Sequence, residues 1–238
     1  MKKTETFDFS GMAEPSKKPP RLLERHPLPP FFPHGARVLF LGSFPPPKNR
    51  WCMNFFYPNL QNDFWRILGL VFFKERDHFL TRQGDSQKPV FDQKKIESFL
   101  KIREIAIFDS AIEVIREKGN ASDAFLTIVT PLDLRSVLTQ HLTECQTLIT
   151  TGEKATEALL GILAREGVSV SGPAVGSCVS FSFAGRKMTL CRLPSSSRAY
   201  PMAITKKAEI YEQILKKVLP AGSQAVGESE TLPESRKS

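Results

Sequence analysis

Short apolar runs alternate with amphipathic segments along most of the chain. Runs bounded by polar residues, glycine or proline predict buried strands at 38–41, 105–108, 126–129 and 147–150. Segments 179–183 and 188–193 flank Ala184-Gly185 and predict either a hairpin or one strand that follows a turn. Apolar residues at helical spacing predict helices that begin near Gln61, span 92–102, 111–118 and 203–218, and follow Asp133 and Gly152.

Strands that are separated by helices of ordinary length form mostly parallel sheets with helices on both faces. We therefore expect one α/β domain over residues 21–219, with three layers (α/β/α) around a central, mostly parallel four-stranded sheet. Residues 21–35 mix prolines with apolar side chains and predict an ordered extended segment, whereas residues 72–90 predict an insertion or a lid. Residues 1–20 and 220–238 lack periodicity and predict a disordered arm and a disordered tail.

Composition narrows the class of protein further. Of the 238 residues 41% are hydrophobic, enough for a core, yet no segment approaches the ~20 apolar residues that span a bilayer. The first residues lack the apolar stretch of a secretory signal, and the four cysteines form no Cys-x-x-Cys pair. We expect a cytoplasmic protein with reduced thiols and no zinc or iron–sulfur site. The net charge of +8 is compatible with a polyanionic partner and equally with a solvated basic surface.

Several common catalytic signatures are absent from the sequence. It contains neither Gly-x-Gly-x-x-Gly nor the Walker lysine motif, and it contains no His-Glu-x-x-His. We therefore expect no cofactor and no metal, and we interpret the four histidines (His26, His34, His78 and His141) as structural or surface residues. A serine nucleophile within Ser195–Ser197 is an alternative that would make the protein a small-molecule hydrolase, although Gly-x-Ser-x-Gly is missing.

Two loops follow the first and last predicted strands, at residues 42–62 and 194–200. Ligands bind at the carboxyl ends of the strands in parallel sheets, so we expect the two loops to share a site. The first loop offers Tyr57 beside Asn62, and the second offers three serines followed by Arg198. An aromatic ring stacks on a base, an amide hydrogen-bonds a base edge or a water, and serines with backbone N–H groups grip phosphates. Together these groups are typical of a site that takes a nucleotide out of a duplex, although aromatic core residues and helix-capping serines would leave a similar pattern.

These residues resemble the uracil-DNA glycosylase superfamily, over residues 25–218 in order and spacing. Gly42-Ser43-Phe44-Pro45-Pro46 is similar to the Gly-x-x-Pro-Gly turn of its first motif. Residues 57–65 resemble the aromatic-to-Asn-x-Phe-Trp segment of the mismatch-specific and hypoxanthine branches. Leu193-Pro194-Ser195-Ser196-Ser197 resembles the second motif, which is Leu-Pro-Ser-Thr-Ser in the hypoxanthine branch, and residues 151–155 match the glycine and helix start that precede it.

The resemblance implies a monomeric, metal-independent DNA glycosylase that hydrolyses the N-glycosidic bond of a deaminated base, hypoxanthine or uracil, flipped out of DNA. It places Gly42, Pro45 and Tyr57 against the base, and Pro194, Ser195, Ser196, Ser197 and Arg198 against the DNA. It implies a catalytic role for the Asn62 amide, together with the backbone N–H groups around Ser43 and Phe44, in stabilising the departing base anion.

Some positions depart from the superfamily pattern. Phe44 stands where the mismatch-specific branch has a catalytic asparagine, Leu193 stands in place of the uracil-branch histidine, and Pro46 replaces the second glycine. These changes favour the hypoxanthine type, and they leave a second alternative, a protein that binds damaged bases without cleaving them. Asp63 either is an ordinary acidic residue at a helix N-terminus or activates a water.

Overall fold

The structure, a computed structural model, describes residues 22–83, 88–117 and 126–219. The predicted arm and tail lie outside the described residues. The elements, in chain order, are β1 (Leu23–Arg25), β2 (Val38–Gly42), α1 (Phe64–Phe73), β3 (Leu80–Gln83), β4 (Lys88–Phe91), α2 (Gln93–Ile102), β5 (Ile105–Asp109), β6 (Ala111–Arg116), β7 (Leu126–Pro131), α3 (Leu134–Ser136, continuing as a π-helical turn over Val137–His141), β8 (Thr147–Thr151), α4 (Glu153–Arg165), β9 (Ser177–Phe183), β10 (Arg186–Leu193) and α5 (Ile204–Val218).

A five-stranded sheet forms the centre of the fold, in the order β5-β2-β8-β10-β9. Its first four strands are parallel, and β9 pairs antiparallel with β10 as the second arm of a hairpin. Every residue of β2 and β5 is buried, which explains why both read as uninterrupted apolar runs in the sequence. The mixed α/β class and the mostly parallel sheet are confirmed, but the sheet has five strands rather than four.

A second sheet, antiparallel and three-stranded, contains β1, β6 and β7. The predicted strand at 126–129 belongs to this sheet and not to the central one. The predicted helix at 111–118 is wrong, because residues 111–116 form strand β6. The β-branched residues Ile112, Val114 and Ile115 fit a pleated strand between two partners, and that pairing outweighs the helix-like spacing of the buried positions.

The proline-rich segment before β2 is ordered and extended, as predicted. Strand β1 pairs with β6, and Phe31 exchanges two backbone hydrogen bonds with Ile107 of the edge strand β5, at 3.2 and 3.0 Å. This bridge covers part of an edge that would otherwise present unpaired N–H and C=O groups. In the segment 72–90, α1 extends to Phe73, and β3 and β4 form a separate two-stranded ladder.

The cysteines are not all reduced. Cys178 and Cys191 stand directly opposite each other on β9 and β10 and form a disulfide, so the expectation of free thiols is wrong for this pair. Spacing in sequence could not show this, because the pairing depends on the register of the hairpin. Cys52 and Cys145 are free, and burial raises the pKa of the Cys145 thiol to about 12.

The remaining predicted helices are present. Asp133 caps α3 by accepting a hydrogen bond from the Ser136 N–H at 2.9 Å, and α4 begins directly after Gly152. Helices α1 and α5 pack against one another beside the sheet, with the rings of Phe64 and Tyr211 in edge-to-face contact at 6.5 Å. No helix within the described residues is long and apolar enough to cross a bilayer.

Candidate functional site

A cleft of about 690 Å³ opens where β2, β5, β8 and β10 end. Its lining contains every predicted site residue except one: Gly42, Ser43, Phe44, Pro45, Tyr57, Asn62, Ser195, Ser196, Ser197 and Arg198. The exception is Pro194, whose carbonyl oxygen accepts a hydrogen bond from the buried Tyr211 hydroxyl at 3.0 Å and so anchors its loop to α5. The structure therefore brings the two loops singled out from the sequence into one site.

The loop after β2 offers unpaired backbone donors and one buried ring. Among the described residues, neither the Ser43 N–H nor the Phe44 N–H has a hydrogen-bond acceptor. The Phe44 side chain is only 8% exposed and packs with Ala111, Val114 and Leu126 of the small sheet. Phe44 thus contributes its backbone to the cleft, while its ring joins the loop to the second sheet.

Position 42 requires a glycine, because two neighbouring side chains lie too close to its backbone to leave room for a Cβ atom. A Cβ atom at this position would lie 2.2 Å from Oδ1 of Asp109 and 3.1 Å from the Tyr57 hydroxyl oxygen. Only a residue without a side chain leaves room for both the carboxylate and the phenol hydroxyl beside the end of β2.

Tyr57 is held firmly at the wall of the cleft. Its backbone has a positive φ of 49°, which is uncommon for a residue with a side chain. Its ring stacks on Phe64 at a centroid distance of 3.9 Å, and its hydroxyl shares a 2.6 Å hydrogen bond with the Thr151 hydroxyl at the end of β8. These contacts fix the ring in one orientation before any ligand arrives.

Asn62 joins the two loops and starts α1. Its backbone forms an antiparallel bridge with Ser197, and the neighbouring Asp63 N–H donates to the Ser196 carbonyl at 3.0 Å. Its side-chain Oδ1 accepts a hydrogen bond from the Phe64 N–H at 2.9 Å. The amide oxygen therefore satisfies the first N–H of α1 from the position before the N-cap residue Asp63, and the NH₂ group has no acceptor among the described residues.

The loop of three serines, Ser195–Ser197 (the serine loop), is held in shape by hydrogen bonds to its own side-chain hydroxyl groups. Oγ of Ser195 accepts from the Ser197 N–H, and Oγ of Ser197 accepts from the Ala199 N–H, each at 3.2 Å. Such local bonds are typical of tight turns and favour a structural or phosphate-gripping role over a nucleophilic one. Gly152, with φ of 91°, lets the loop pack closely, because a Cβ there would lie 3.2 Å from Cβ of Ser195.

A buried lysine supports this loop from behind. Lys207 of α5 is 1% exposed, and its Nζ donates to the Ser197 carbonyl at 2.7 Å. Burial lowers the pKa of the Lys207 ammonium, and Asp63 partly opposes that shift.

Asp63 and Arg198 form an ion pair at the rim. Arg198 Nε donates to Asp63 Oδ1 at 2.9 Å, and another of its nitrogens donates to Gln61 Oε1 at 3.1 Å. The Asp63 carboxylate also lies 3.6 Å from the Arg66 guanidinium, whose pKa is lowered first by burial and then by Arg198. Asp63 is thus a structural acceptor for two cations, and Arg198, 38% exposed, keeps part of its guanidinium at the surface of the cleft.

Two polar residues of the site were not predicted. Asp109, the last residue of β5, lines the cleft, and its Oδ2 lies 2.9 Å from Nε2 of the buried His26. From the sequence, His26 was interpreted as a structural or surface residue, and Asp109 was not predicted to lie in a site. A signal for Asp109 was available, since a carboxylate that ends an apolar parallel strand lies where ligands bind.

The site offers no obvious place for a metal. Within the described residues, no three or more His, Cys, Asp and Glu side chains come together as a group that could hold an ion. The cleft instead offers backbone and amide N–H donors, an aromatic ring and one carboxylate.

A mostly parallel α/β sheet with its cleft at the carboxyl edge defines the class of fold. The solution NMR structure of a candidate uracil DNA glycosylase from Methanosarcina acetivorans has this fold, with a TM-score of 0.53 and 20% sequence identity; the match covers 82% of this chain and 99% of that chain. No protein-family model matches the sequence, and no curated protein matches it. At this identity the likeness shows a shared fold, and membership of the uracil-DNA glycosylase superfamily stays a prediction.

Proposed function

We propose that the protein is a DNA glycosylase that removes a deaminated base, hypoxanthine or uracil, after the nucleotide has left the duplex. The observation that carries the proposal is the convergence, in one cleft, of the fixed Tyr57 ring, the unpaired N–H groups of Ser43 and Phe44, and the Asn62 amide. The shared fold with a candidate uracil DNA glycosylase supports the same reading.

Cleavage of an N-glycosidic bond leaves negative charge on the departing base and positive charge on the sugar. Preorganised N–H donors lower the barrier by stabilising that negative charge as it develops. In our proposal the base stacks on Tyr57, the backbone N–H groups of Ser43 and Phe44 and the Asn62 NH₂ group face the base anion, and the second lone pair of Asn62 Oδ1 orients the attacking water. This chemistry needs no metal.

The DNA strand would lie along the rim. The serine loop and Arg198 supply donors for phosphates on one side, and Arg50, which is exposed and lines the cleft, supplies a cation on the other. The excess of positive charge over the chain fits a polyanionic partner.

The experiment is a panel of oligonucleotides, single-stranded and duplex, each with one uracil, hypoxanthine, xanthine or thymine mismatch. They are incubated with excess protein and then cleaved with alkali at abasic sites. The proposal predicts strand cleavage at one or more deaminated bases, with release of the free base detected by mass spectrometry. Intact strands at every lesion would contradict it.

A second candidate is a protein that recognises damaged bases without cleaving them. Two observations favour it: the Phe44 position carries a buried ring in place of a polar side chain, and Oδ1 of Asn62 is already engaged by the Phe64 N–H. This candidate predicts tighter binding to lesion DNA than to undamaged DNA, with no base released.

A further inference from the structure

Arg66 is a buried cation in the first turn of α1, and the proposed chemistry does not use it. Its side chain is only 9% exposed, and it is the third residue of a helix that begins at Phe64. Burying a charge costs free energy, and the partial positive charge at a helix N-terminus repels a cation in the first turn. Both effects oppose an arginine at this position, so its presence needs an explanation.

The guanidinium of Arg66 binds the backbone that carries Asn62. Its Nη1 donates to the Leu60 carbonyl oxygen at 2.9 Å and to the Asn62 carbonyl oxygen at 3.3 Å, and it lies 3.6 Å from Oδ1 of Asp63. The Asn62 side chain has two rotatable bonds, and Oδ1 is already held by the Phe64 N–H. The place of the Asn62 NH₂ group therefore depends on the backbone that Arg66 holds.

The same contacts connect this backbone to the serine loop. Oδ1 of Asp63 lies between Arg66 and Arg198, and it accepts a hydrogen bond from Arg198 Nε at 2.9 Å. The Asp63 N–H donates to the Ser196 carbonyl oxygen at 3.0 Å. Arg66 thus supports the junction at which the two loops of the cleft meet.

The segment 74–92 packs against the other side of Arg66. Nε of Arg66 lies 3.4 Å from Oδ1 of Asp77, and its guanidinium carbon lies 5.4 Å from the ring centroid of Phe91. The segment approaches α1 closely, because a Cβ at Gly69 would lie 2.5 Å from the Glu75 carbonyl oxygen. None of its described residues lines the cleft. Its contacts are those of a support for Arg66, and they differ from those of a lid over a ligand.

We propose, on the basis of the glycosylase function above, that Arg66 is a positioning residue for base release. Held by the segment 74–92, it fixes the backbone of residues 60–63 so that the Asn62 amide meets the departing base. Arg66 itself does not line the cleft, so it acts through Asn62 and touches neither base nor phosphate. A catalytic group that is misplaced by about 1 Å can lose on the order of a hundredfold in rate, whereas binding depends on many contacts and changes less.

The test measures the single-turnover rate of base release at saturating protein, and lesion affinity on the same samples, at a temperature at which every variant is folded. Arg66→Met keeps an unbranched apolar stem and removes the donors, so the rate should fall by about tenfold to a hundredfold while affinity stays within a few-fold. Arg66→Lys keeps the positive charge without the planar set of donors, and its rate should lie between those of the wild type and Arg66→Met.

Arg103→Met is the matched control. Arg103 is also buried, at 1% exposure, and its guanidinium packs on the ring of Phe72 at 4.8 Å, but it follows α2 and does not line the cleft. Its loss should lower stability and leave the rate of base release unchanged. The comparison separates positioning of Asn62 from the general cost of removing a buried arginine.

Amide hydrogen exchange gives a second readout that needs no activity. The N–H groups of Asn62 and Asp63 donate to the carbonyl oxygens of Asn59 and Ser196, at 2.8 and 3.0 Å. Arg66→Met should speed exchange at both amides by about tenfold or more relative to the amides of β2, because the hydrogen bonds from the guanidinium no longer hold this backbone. Arg103→Met should leave that ratio unchanged.

The two proposals fail separately. If the wild type releases a base and Arg66→Met releases it equally fast, the positioning role is overturned while the glycosylase function stands. Equal losses of rate and affinity would also overturn it, because Arg66 would then serve DNA binding. If the wild type releases no base from any oligonucleotide, the glycosylase function fails. Exchange at Asn62 and Asp63 then still decides whether Arg66 holds this backbone: faster exchange in Arg66→Met supports it, and unchanged exchange overturns it.

Discussion

A methyl group at position 42 would meet the Asp109 carboxylate, which is itself held by His26. Gly42→Ala should therefore displace Asp109 or Tyr57 and weaken binding of lesion DNA by about tenfold or more, since one lost charged hydrogen bond already costs that much. The measurement is equilibrium binding, alongside thermal unfolding.

Gly161→Ala is the matched control, because a Cβ at that helical position meets nothing within 4 Å. It should keep DNA binding and raise stability by up to ~1 kcal/mol. Equal DNA affinities for the wild type and Gly42→Ala would contradict the close-approach explanation.

Lys207 gives a pH dependence whose sign can be worked out. Burial lowers its pKa in the folded state below the ordinary value of 10.5, so between the two values the unfolded chain holds a proton that the folded chain does not. The free energy of unfolding of the wild type should therefore rise with pH across this window relative to Lys207→Met, and the difference should level off above 10.5. Urea titrations at several alkaline pH values measure it, and a difference that falls with pH would refute the assignment.

At the scale of single elements, Phe44 connects the cleft loop to the small sheet. Phe44→Ala should cost about 3–5 kcal/mol of unfolding free energy by leaving a cavity against Val114 and Leu126. Phe44→Leu should cost less than half of that, because it fills most of the space. Denaturant unfolding measures both, and an unaffected Phe44→Ala variant would show that the ring does not anchor the loop.

The β9–β10 hairpin carries the disulfide, so thiol counting tests its register. Under non-reducing denaturing conditions the chain should show two thiols, Cys52 and Cys145, and after reduction all four cysteines should react. Without denaturant Cys145 should be silent, because burial raises its pKa and excludes reagents. Four reactive thiols before reduction would disprove the disulfide.

Helices and strands could be predicted where the hydrophobic pattern of the sequence matches the burial of the same residues in the folded protein. β2 and β5 are buried along their whole length, so their apolar runs specify strands without reference to the rest of the chain. Strand β6 was not predictable in this way: Ala111 and Val114 are buried three residues apart, as on a helix face, and a bulge near Glu113 disturbs the alternation expected of a strand. Its state is decided by pairing with β1, which lies far away in sequence, and with β7, the next strand along the chain.

For the molecule as a whole, the rule that ligands bind at the carboxyl edge of a parallel sheet located the cleft. From this rule we predicted that Tyr57, Asn62 and the serine loop share one site, and all of them line the cleft. It did not supply the His26–Asp109 pair, because His26 comes from a proline-rich segment outside the sheet and its partner is 83 positions away. Nor did it show that the Asn62 oxygen caps α1.

The central claim is that the Asn62 amide takes part in base release as well as in capping α1. Asn62→Ala removes both functions, whereas Asn62→Ser and Asn62→Asp keep an oxygen that can accept the Phe64 N–H and lose the NH₂ donor. Asn59→Ala is the control, since Asn59 also lines the cleft and, within the described part of the chain, its Oδ1 accepts only from the Gln61 N–H.

The decisive measurement is the single-turnover rate of base release from the preferred lesion, with DNA affinity measured on the same samples. We predict that all three Asn62 variants lose at least about a hundredfold in rate, the scale of one lost transition-state donor, while binding the lesion nearly as well as the wild type. Asn59→Ala should stay within a few-fold of the wild-type rate. If Asn62→Ser releases the base as fast as the wild type, Asn62 is a helix cap only, and the proposed catalytic site is wrong.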